Sequence, residues 1–212
     1  MTVRPESGNT LLRFDRVERT VHWINATLFG TLMLTGAALY AGPISTLVGN
    51  REIVRTIHVY CGLALPLPLL IAVIGRRGTR LRADLSRLNR WSRDDARWFR
   101  RSRRAEVRLG KFNPGQKLNA AFIAAAAVVM LATGSIMHWF NHFPLDWRTG
   151  ATFVHDWFAF GIWVSVLGHI FFALRDSESL ESMLGGSIGV SWARQKAPLW
   201  YEELKHDHRT AH

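Results

Sequence analysis

Long stretches without charge alternate with charged connections along this chain. No Asp, Glu, Lys or Arg occurs in four windows, at residues 20–50, 56–75, 118–145 and 157–174. About 20 apolar residues are needed to cross roughly 30 Å of hydrocarbon, so each window is close to or beyond the length of one transmembrane helix. The pattern predicts an all-α integral membrane protein, a four-helix bundle with spans at about 20–40, 52–75, 114–138 and 152–174.

Composition agrees with long apolar helices joined by polar connections. The chain has 212 residues, 48% of them hydrophobic, and its mean hydropathy is close to zero at +0.02. This length is typical of one domain. We therefore expect a single membrane domain over residues 1–212, with a connection at 76–113 and a tail at 175–212.

Basic residues are concentrated in the middle connection. Between Gly75 and Gly115 there are 13 arginines and Lys111 but four acidic residues, which accounts for most of the formal net charge of +11. Positive connections face the cytoplasm, so this connection, the tail and both termini are predicted to be cytoplasmic, with the chain in the inner membrane. A soluble protein with a pI of about 11.1 would suggest nucleic-acid binding. Because the charge lies between apolar windows, we expect contact with membrane lipid and no nucleic-acid partner.

Apolar residues recur at helical spacing among those arginines, at Leu81, Leu85, Leu88, Trp91 and Trp98. Such a pattern is typical of a helix that lies on a membrane surface, where arginines meet anionic lipid headgroups. The alternative is a solvated basic segment that contacts a partner protein.

One cysteine is present, Cys61, in the second predicted span. A covalently attached heme needs two cysteines in a C-x-x-C-H run, and an iron–sulfur cluster normally needs four. The chain therefore builds neither of these groups alone, and Cys61 is interpreted as a packing residue.

Histidines carry the candidate chemistry. His155 and His169 are 14 residues apart in the fourth predicted span. At about 100° and 1.5 Å per residue, they lie on the same face of a helix and roughly 21 Å apart along its axis. A polar imidazole in lipid is costly without a partner, so two of them on one stripe, near opposite edges of the membrane, indicate a function.

The predicted topology supplies partners at matching depths. His22 begins the first span at the inner face, like His169, whereas His58 lies near the outer end of the second span, like His155. Heme iron takes two axial ligands, and imidazole is a favoured one. The histidines therefore predict two b hemes, an inner one held by His22 and His169 and an outer one held by His58 and His155.

Other residues near these histidines leave alternatives open. Gly36 lies 14 residues after His22, where a missing side chain could admit the edge of the outer heme, although small residues also serve helix packing. Arg19 and Arg55 could pair with heme propionates, although arginines commonly flank membrane spans. His138 and His142 are four residues apart, a spacing that leaves open a metal site or an alternative heme ligand.

Further motifs extend over nearly the whole chain, from Arg13 to Leu204. They are Arg13-Phe14-Asp15-Arg16 before His22-Trp23, Arg55-x-x-His58-x-x-x-Gly62, Gly110-Lys111-Phe112-Asn113-Pro114-Gly115-Gln116-Lys117, Trp192-Ala193-Arg194, and Pro198-x-Trp200-Tyr201. Together with the histidines, these motifs resemble the gamma, or cytochrome b, subunit of membrane-bound respiratory formate dehydrogenases.

The resemblance implies a quinone pocket on the cytoplasmic side, formed by Asn113, Gly115, Gln116 and the heme ligand His169. Asn and Gln offer hydrogen-bond donors and acceptors to a quinone carbonyl, and Gly permits close backbone approach. An ordinary helix entry is the alternative for this segment. The quinone would be menaquinone or ubiquinone.

The resemblance also implies partner subunits. An iron–sulfur (beta) subunit outside would deliver electrons to the outer heme, and a molybdenum or tungsten catalytic (alpha) subunit would oxidise formate. The chain itself would then be the quinone-reducing electron-transfer subunit of an oxidoreductase complex, with no residue that oxidises formate.

Three other functions are compatible with the sequence. One is the cytochrome b subunit of a nickel–iron hydrogenase or a related respiratory oxidoreductase. Another is a stand-alone cytochrome b that transfers electrons from superoxide to quinone. The third is a heme-free membrane anchor or transporter, which a visible spectrum would distinguish.

Overall fold

The computed structural model describes residues 9–100 and 107–210, so residues 101–106 of the predicted connection lie outside the described residues. The described residues form eleven helices, one 3-10 turn and two short strands. In chain order these are β1 (Thr10–Leu12), α1 (Arg16–Tyr40), α2 (Gly42–Val48), α3 (Arg51–Ala64), α4 (Leu67–Ile74), α5 (Thr79–Asn89), α6 (Arg93–Trp98), α7 (Pro114–His138), the turn Phe140–His142, α8 (Leu145–Arg175), α9 (Ser177–Gly185), β2 (Ser187–Gly189), α10 (Val190–Lys196) and α11 (Pro198–Thr210).

The predicted all-α class is confirmed, and three helical runs among the described residues are long and apolar enough to cross a membrane. They are Arg51–Ile74, which combines α3 and α4, Pro114–His138 and Leu145–Arg175, whose apolar 18-residue windows have mean hydropathies of 2.2, 2.1 and 1.8. Helix α1 has 25 residues but is not among them. Asn25 and four threonines lower its hydropathy, so the first predicted span remains a prediction.

The run Arg51–Ile74 is interrupted where the sequence has Pro66 and Pro68. Helix α3 ends at Ala64, and the backbone N–H of Leu65 donates to the Gly62 carbonyl over 3.3 Å, a tighter turn than an α-helix makes. Proline has no backbone N–H to donate, so helical bonding stops here and resumes in α4. Prolines inside a membrane helix commonly cause such an interruption.

The chain divides into two compact units. The apolar unit contains Thr20–Arg76 and Phe122–Gly168, and therefore most of the predicted spans. The polar unit contains Met1–Arg19, Arg77–Ala121 and His169–His212, and therefore the predicted cytoplasmic connection and tail.

The polar unit has its own hydrophobic core, built from the C-terminal tail. Its buried residues are Ile188, Trp192, Ala193, Ala197 and Trp200, against which Leu11, Tyr201 and Leu204 pack. Strands β1 and β2 pair antiparallel, with Thr10 opposite Gly189 and Leu12 opposite Ser187. The tail is thus a folded part of the molecule, and the Trp-rich motifs form its core.

Arg13 anchors the N-terminal segment to this core. Its guanidinium lies 4.3 Å from the Trp192 ring centre and donates to the Ser179 hydroxyl over 2.8 Å. Burial lowers the pKa of Arg13 to about 10, against the opposing charges of Asp176 and Asp84. The group therefore stays charged at neutral pH, and cation–π and hydrogen-bonding contacts stabilise it in the interior.

Gly186 makes the turn that brings the tail to the N-terminal segment. Its φ is +100°, a left-handed conformation that L side chains rarely adopt. A Cβ there would lie 2.8 Å from the Phe14 carbonyl oxygen. The Gly186 carbonyl accepts hydrogen bonds from the backbone N–H groups of Arg13 and Phe14, so a larger residue would break this junction.

The described part of the arginine-rich connection contains two helices, α5 and α6, separated at Arg90–Ser92. Ser92 caps α6 through a reciprocal pair of hydrogen bonds with Asp95. Helix α5 turns Asp84 inward and pairs Arg87 with Glu203 of α11 over 2.6 Å. One face of α5 therefore packs against other residues of the polar unit. The lipid contact expected for its arginines remains a prediction.

Candidate heme-binding site

His58 and His155 face each other inside the apolar unit. His58 lies in α3 and His155 in α8, and their ring centres are 6.4 Å apart with the planes inclined by 62°. The structure thus brings together the two residues predicted to bind the outer heme.

A threonine hydroxyl contacts each of these rings. Thr35 Oγ1 of α1 lies 2.9 Å from His58 Nδ1, and Thr133 Oγ1 of α7 lies 2.9 Å from His155 Nδ1. Because Nδ1 is engaged in both rings, Nε2 is the nitrogen left to bind a metal.

A glycine follows each threonine and lies beside the same ring. A Cβ at Gly36 would lie 3.4 Å from His58 Cε1, and a Cβ at Gly134 would lie 3.5 Å from His155 Cε1. Gly36 was expected to admit a heme edge, and in the structure its nearest neighbour is the imidazole itself. These glycines let the ring approach the helix backbone closely.

The separation of the two rings fits the axial ligands of one heme. A metal–imidazole bond is about 2 Å long and the ring centre lies roughly 1 Å beyond the nitrogen, so opposed ligands have centres about 6 Å apart. The observed 6.4 Å agrees with this distance. No group of three or more His, Cys, Asp or Glu that could hold a metal occurs within 9–100 and 107–210. A heme needs two histidines, because the porphyrin supplies its other ligands.

The inner pair, His22 and His169, is distributed over the two units. His22 lies near the start of α1, with its ring 5.3 Å from the Trp23 ring. His169 lies in α8, which is continuous from Leu145 to Arg175, as the helical spacing of His155 and His169 requires. The pairing of His22 with His169 stays a prediction.

Three of the four predicted quinone residues, Asn113, Gly115 and Gln116, lie at the start of α7, whereas His169 lies in α8. The Asn113 side-chain oxygen accepts from the Gln116 backbone N–H, and the Gln116 side-chain oxygen accepts from the Asn113 backbone N–H, both over 2.9 Å. This reciprocal capping satisfies two backbone donors that a helix start leaves unpaired. It uses the oxygens of both side chains and leaves their amide NH₂ groups as donors toward a ligand.

Gly115 has a packing reason to lack a side chain. A Cβ there would lie 3.3 Å from the Trp98 ring and 3.2 Å from the Asn113 side-chain oxygen. Lys117 holds the same turn, since it donates to both carboxylate oxygens of Asp95 over 2.9 Å. Burial raises the pKa of Asp95, but the hydrogen bonds from Lys117 and Ser92 outweigh it and lower that pKa.

A buried charge cluster, which the sequence did not indicate, joins Glu18, Asp84 and Lys111 in the polar unit. Lys111 Nζ donates to Asp84 and lies 3.9 Å from a Glu18 carboxylate oxygen. The same ammonium lies 4.8 Å from the Phe14 ring centre, a cation–π contact. Burial lowers the pKa of Lys111. Burial and a hydrogen bond with Asp84 raise the pKa of Glu18 to about 8, against the charge of Lys111.

Other candidate residues have different surroundings. Arg19 donates to the Leu184 carbonyl, and Arg55 pairs with Glu52 over 3.3 Å at the surface. His138 contacts the Trp139 ring with centres 5.2 Å apart, and neither His138 nor His142 belongs to a metal-binding group among the described residues. Pairing of the two arginines with propionates remains an expectation.

The chain is similar to proteins that are named as cytochrome subunits of formate dehydrogenases. It matches the family model of prokaryotic cytochrome b561 over residues 13–186. The formate dehydrogenase cytochrome b556 subunit of Haemophilus influenzae is 26% identical over 201 residues, which cover 91% of this chain and 83% of that protein. The cytochrome b556(fdo) subunit of Escherichia coli K12 is 23% identical over 209 residues, 93% of this chain and 94% of the relative. Its nitrate-inducible cytochrome b556(Fdn) subunit is 21% identical over 203 residues, 92% of each.

Helices able to cross a membrane, together with a facing histidine pair, define a multi-pass membrane protein of the cytochrome b class. The chain belongs to the prokaryotic cytochrome b561 family, whose model matches most of its length. Membership of this family implies that the protein carries heme b.

Proposed function

We propose that this protein is the cytochrome b subunit of a formate dehydrogenase complex. It would carry electrons from an iron–sulfur subunit at the outer face, through two b hemes, to quinone at the cytoplasmic face. The facing rings of His58 and His155, 6.4 Å apart, are the observation that carries the heme assignment. The names of the similar cytochrome subunits support the assignment to formate dehydrogenase.

Within this proposal, His58 and His155 hold the outer heme, and His22 and His169 hold the inner one. Heme supplies one-electron oxidation and reduction when it is bound. The protein contributes ligand nitrogens at fixed positions and apolar helices that exclude water from them. Both units then belong to a single diheme membrane domain.

Helix α1 is proposed to cross the membrane as the first span along the chain, in addition to the three apolar runs. Both termini of this inner-membrane protein would then lie in the cytoplasm. Its charge-free part begins at Thr20, and three of its threonine hydroxyls donate to carbonyls three or four residues earlier, which lowers their cost in lipid. The arginine-rich connection supports the orientation, because positive segments are retained on the cytoplasmic side.

Quinone would bind at the start of α7 beside the inner heme ligand His169. The side-chain oxygens of Asn113 and Gln116 are occupied in capping, so their amide NH₂ groups would donate to a quinone carbonyl. Gly115 permits the close backbone contact with Trp98 that shapes this turn. Menaquinone and ubiquinone offer the same carbonyl chemistry.

The partners in this proposal are the iron–sulfur (beta) subunit and the molybdenum or tungsten catalytic (alpha) subunit. Purification of the intact complex from membranes tests this part. Recovery with a molybdenum or tungsten protein supports it, whereas recovery with a nickel–iron protein would assign the chain to a hydrogenase.

The heme assignment is tested by His155→Ala and His58→Ala in the full chain. We expect each variant to lose the outer heme and to keep the inner one, so that heme content and the reduced-minus-oxidised absorption fall by about half, because each heme needs both axial ligands. His142→Ala, an exposed histidine of the same predicted outer region, is the matched control and should keep both hemes. Unchanged heme content in the first two variants would remove the assignment.

A further inference from the structure

On the basis of the function proposed above, we propose that Thr35 and Thr133 are positioning residues for the outer heme. Each hydroxyl accepts a hydrogen bond from Nδ1–H of its histidine, which fixes the tautomer whose Nε2 lone pair can bind iron.

The hydroxyl of Thr133 shows the direction of this hydrogen bond at His155. A threonine hydroxyl has one hydrogen. The Thr133 hydroxyl donates this hydrogen to the Val129 carbonyl oxygen, a strong acceptor, over 2.7 Å. This contact is shorter than the one between the hydroxyl and the His155 ring. Toward His155 Nδ1, 2.9 Å away, the hydroxyl therefore acts as acceptor and the ring nitrogen as donor. A neutral imidazole with its hydrogen on Nδ1 has an unprotonated Nε2.

His58 is held in the same way from a different helix. Thr35 donates to the Thr31 carbonyl over 2.7 Å and lies 2.9 Å from His58 Nδ1. The single hydroxyl hydrogen of Thr35 is engaged by that carbonyl, so toward the ring the hydroxyl acts as acceptor. This places the ring hydrogen of His58 on Nδ1.

The two arrangements repeat in detail. A Thr-Gly pair, Thr35-Gly36 in α1 and Thr133-Gly134 in α7, precedes its histidine by 23 and 22 residues, counted from the threonine. In each case the threonine bonds the ring and the glycine lies against the same ring edge. Helices α1 and α7 thus each supply the same pair of contacts, a threonine and a glycine against one histidine ring. This repetition indicates that the two residues do more than pack the helices.

The hydrogen bond between threonine and histidine has two physical consequences for a metal bound by the histidine. A histidine that donates its second N–H is a more basic ligand, which favours the ferric over the ferrous state. The hydrogen bond also fixes the orientation of the ring about its own bond to iron. Loss of the hydroxyl should therefore raise the midpoint potential of the outer heme and change the low-spin electron paramagnetic resonance spectrum, which depends on ligand-plane orientation.

The experiment compares threonine variants of the full chain, purified from membranes with its heme. In Thr133→Val we expect about tenfold weaker retention of the outer heme, the lower end of the effect of losing such a partner. We also expect a higher potential for that heme and a shifted spectrum. Thr133→Ser keeps the hydroxyl and should restore all three. Thr31→Val removes a hydroxyl that bonds the Thr27 carbonyl in α1 and is the matched control.

The outcomes separate this inference from the function on which it rests. Wild-type protein without b-type absorption would overturn the heme assignment itself. Wild-type absorption with identical potentials and spectra in Thr133→Val and wild type would overturn the positioning role alone. Should Thr133→Val not reach the membrane, Thr35→Val makes the same comparison at the opposite ligand, where the same three changes are expected.

Discussion

There is room for only one added carbon atom beside each of the facing histidine rings. A Cβ at Gly134 would make ordinary van der Waals contact with His155 at 3.5 Å, but a branched side chain would extend into the ring. Protein interiors are packed closely enough that added methyl groups move their neighbours, at a cost of about 1–3 kcal/mol. The ring that would move here is a proposed heme ligand.

We therefore expect Gly134→Ala to keep both hemes and Gly134→Val to lose the outer one. The valine displaces His155, so the heme content measured per purified chain should fall by about half. The control is Gly30→Val, where a Cβ would meet nothing within 4 Å. Full heme content in Gly134→Val would mean that the ring has more room than the structure gives it.

The histidines could be predicted from the sequence, but the residues that hold them could not. Helical spacing and depth were enough to pair His58 with His155, because a lone imidazole in lipid needs a partner. Thr133 resembles every other threonine in a membrane helix, where the hydroxyl bonds a carbonyl one turn earlier. Its contact with His155 depends on how α7 and α8 pack, which no periodicity reports.

At the level of elements, the proposed function gives the first turn of α7 two roles that use different atoms of the same side chains. The oxygens of Asn113 and Gln116 cap the helix, and the amide groups remain for a ligand. Losing a capping oxygen costs about 1 kcal/mol. A change that keeps an oxygen but removes the NH₂ group can therefore separate capping from quinone binding.

Asn113→Ser makes this separation. Serine is as good a cap as asparagine, so the thermal stability of the purified protein should change little. Without the amide donor, the Michaelis constant for a soluble quinone analogue should rise several-fold, as expected for one hydrogen bond worth about 1 kcal/mol. The intact complex provides the measurement.

Asn50→Ser is the matched control, because Asn50 caps α3 through a bond from the Ile53 backbone N–H over 3.1 Å. It should leave both stability and quinone kinetics near the wild-type values. Wild-type quinone kinetics in Asn113→Ser would leave Asn113 as a cap alone.

Helices in lipid were predictable because charge-free windows of about 20 residues have few other uses. The folded tail was not predictable in the same way. Strand β1 pairs with β2 across about 175 residues of chain, and three-residue strands carry no alternating pattern. The sequence around Trp192 and Trp200 does not indicate their burial, which depends on that pairing and, for Trp192, on the contact with Arg13.

The whole molecule has a formal net charge of +11, but charged side chains inside the polar unit are paired with groups of opposite charge. Lys111 is balanced by Asp84, which also accepts from Arg87 over 2.9 Å, and Arg87 in turn pairs with Glu203. Ionised Glu18 would add a second carboxylate beside Asp84, out of contact with water. Burial and the hydrogen bond with Asp84 therefore raise the pKa of Glu18 from 4.5 to about 8.

This shift predicts a pH-dependent stability. Between pH 4.5 and about 8, unfolding releases a proton that the folded protein retains, so the free energy of unfolding falls as pH rises through this window. Glu18→Gln removes the titration and keeps a neutral side chain of similar size. We expect its unfolding midpoint in detergent, followed by tryptophan fluorescence, to fall less between pH 5.5 and pH 8 than that of the wild type. Asp15, Asp84, Arg87 and Lys111 are retained in both proteins. The exposed control Glu181→Gln should keep the wild-type slope, and the same slope in Glu18→Gln would show that the buried carboxyl is already ionised.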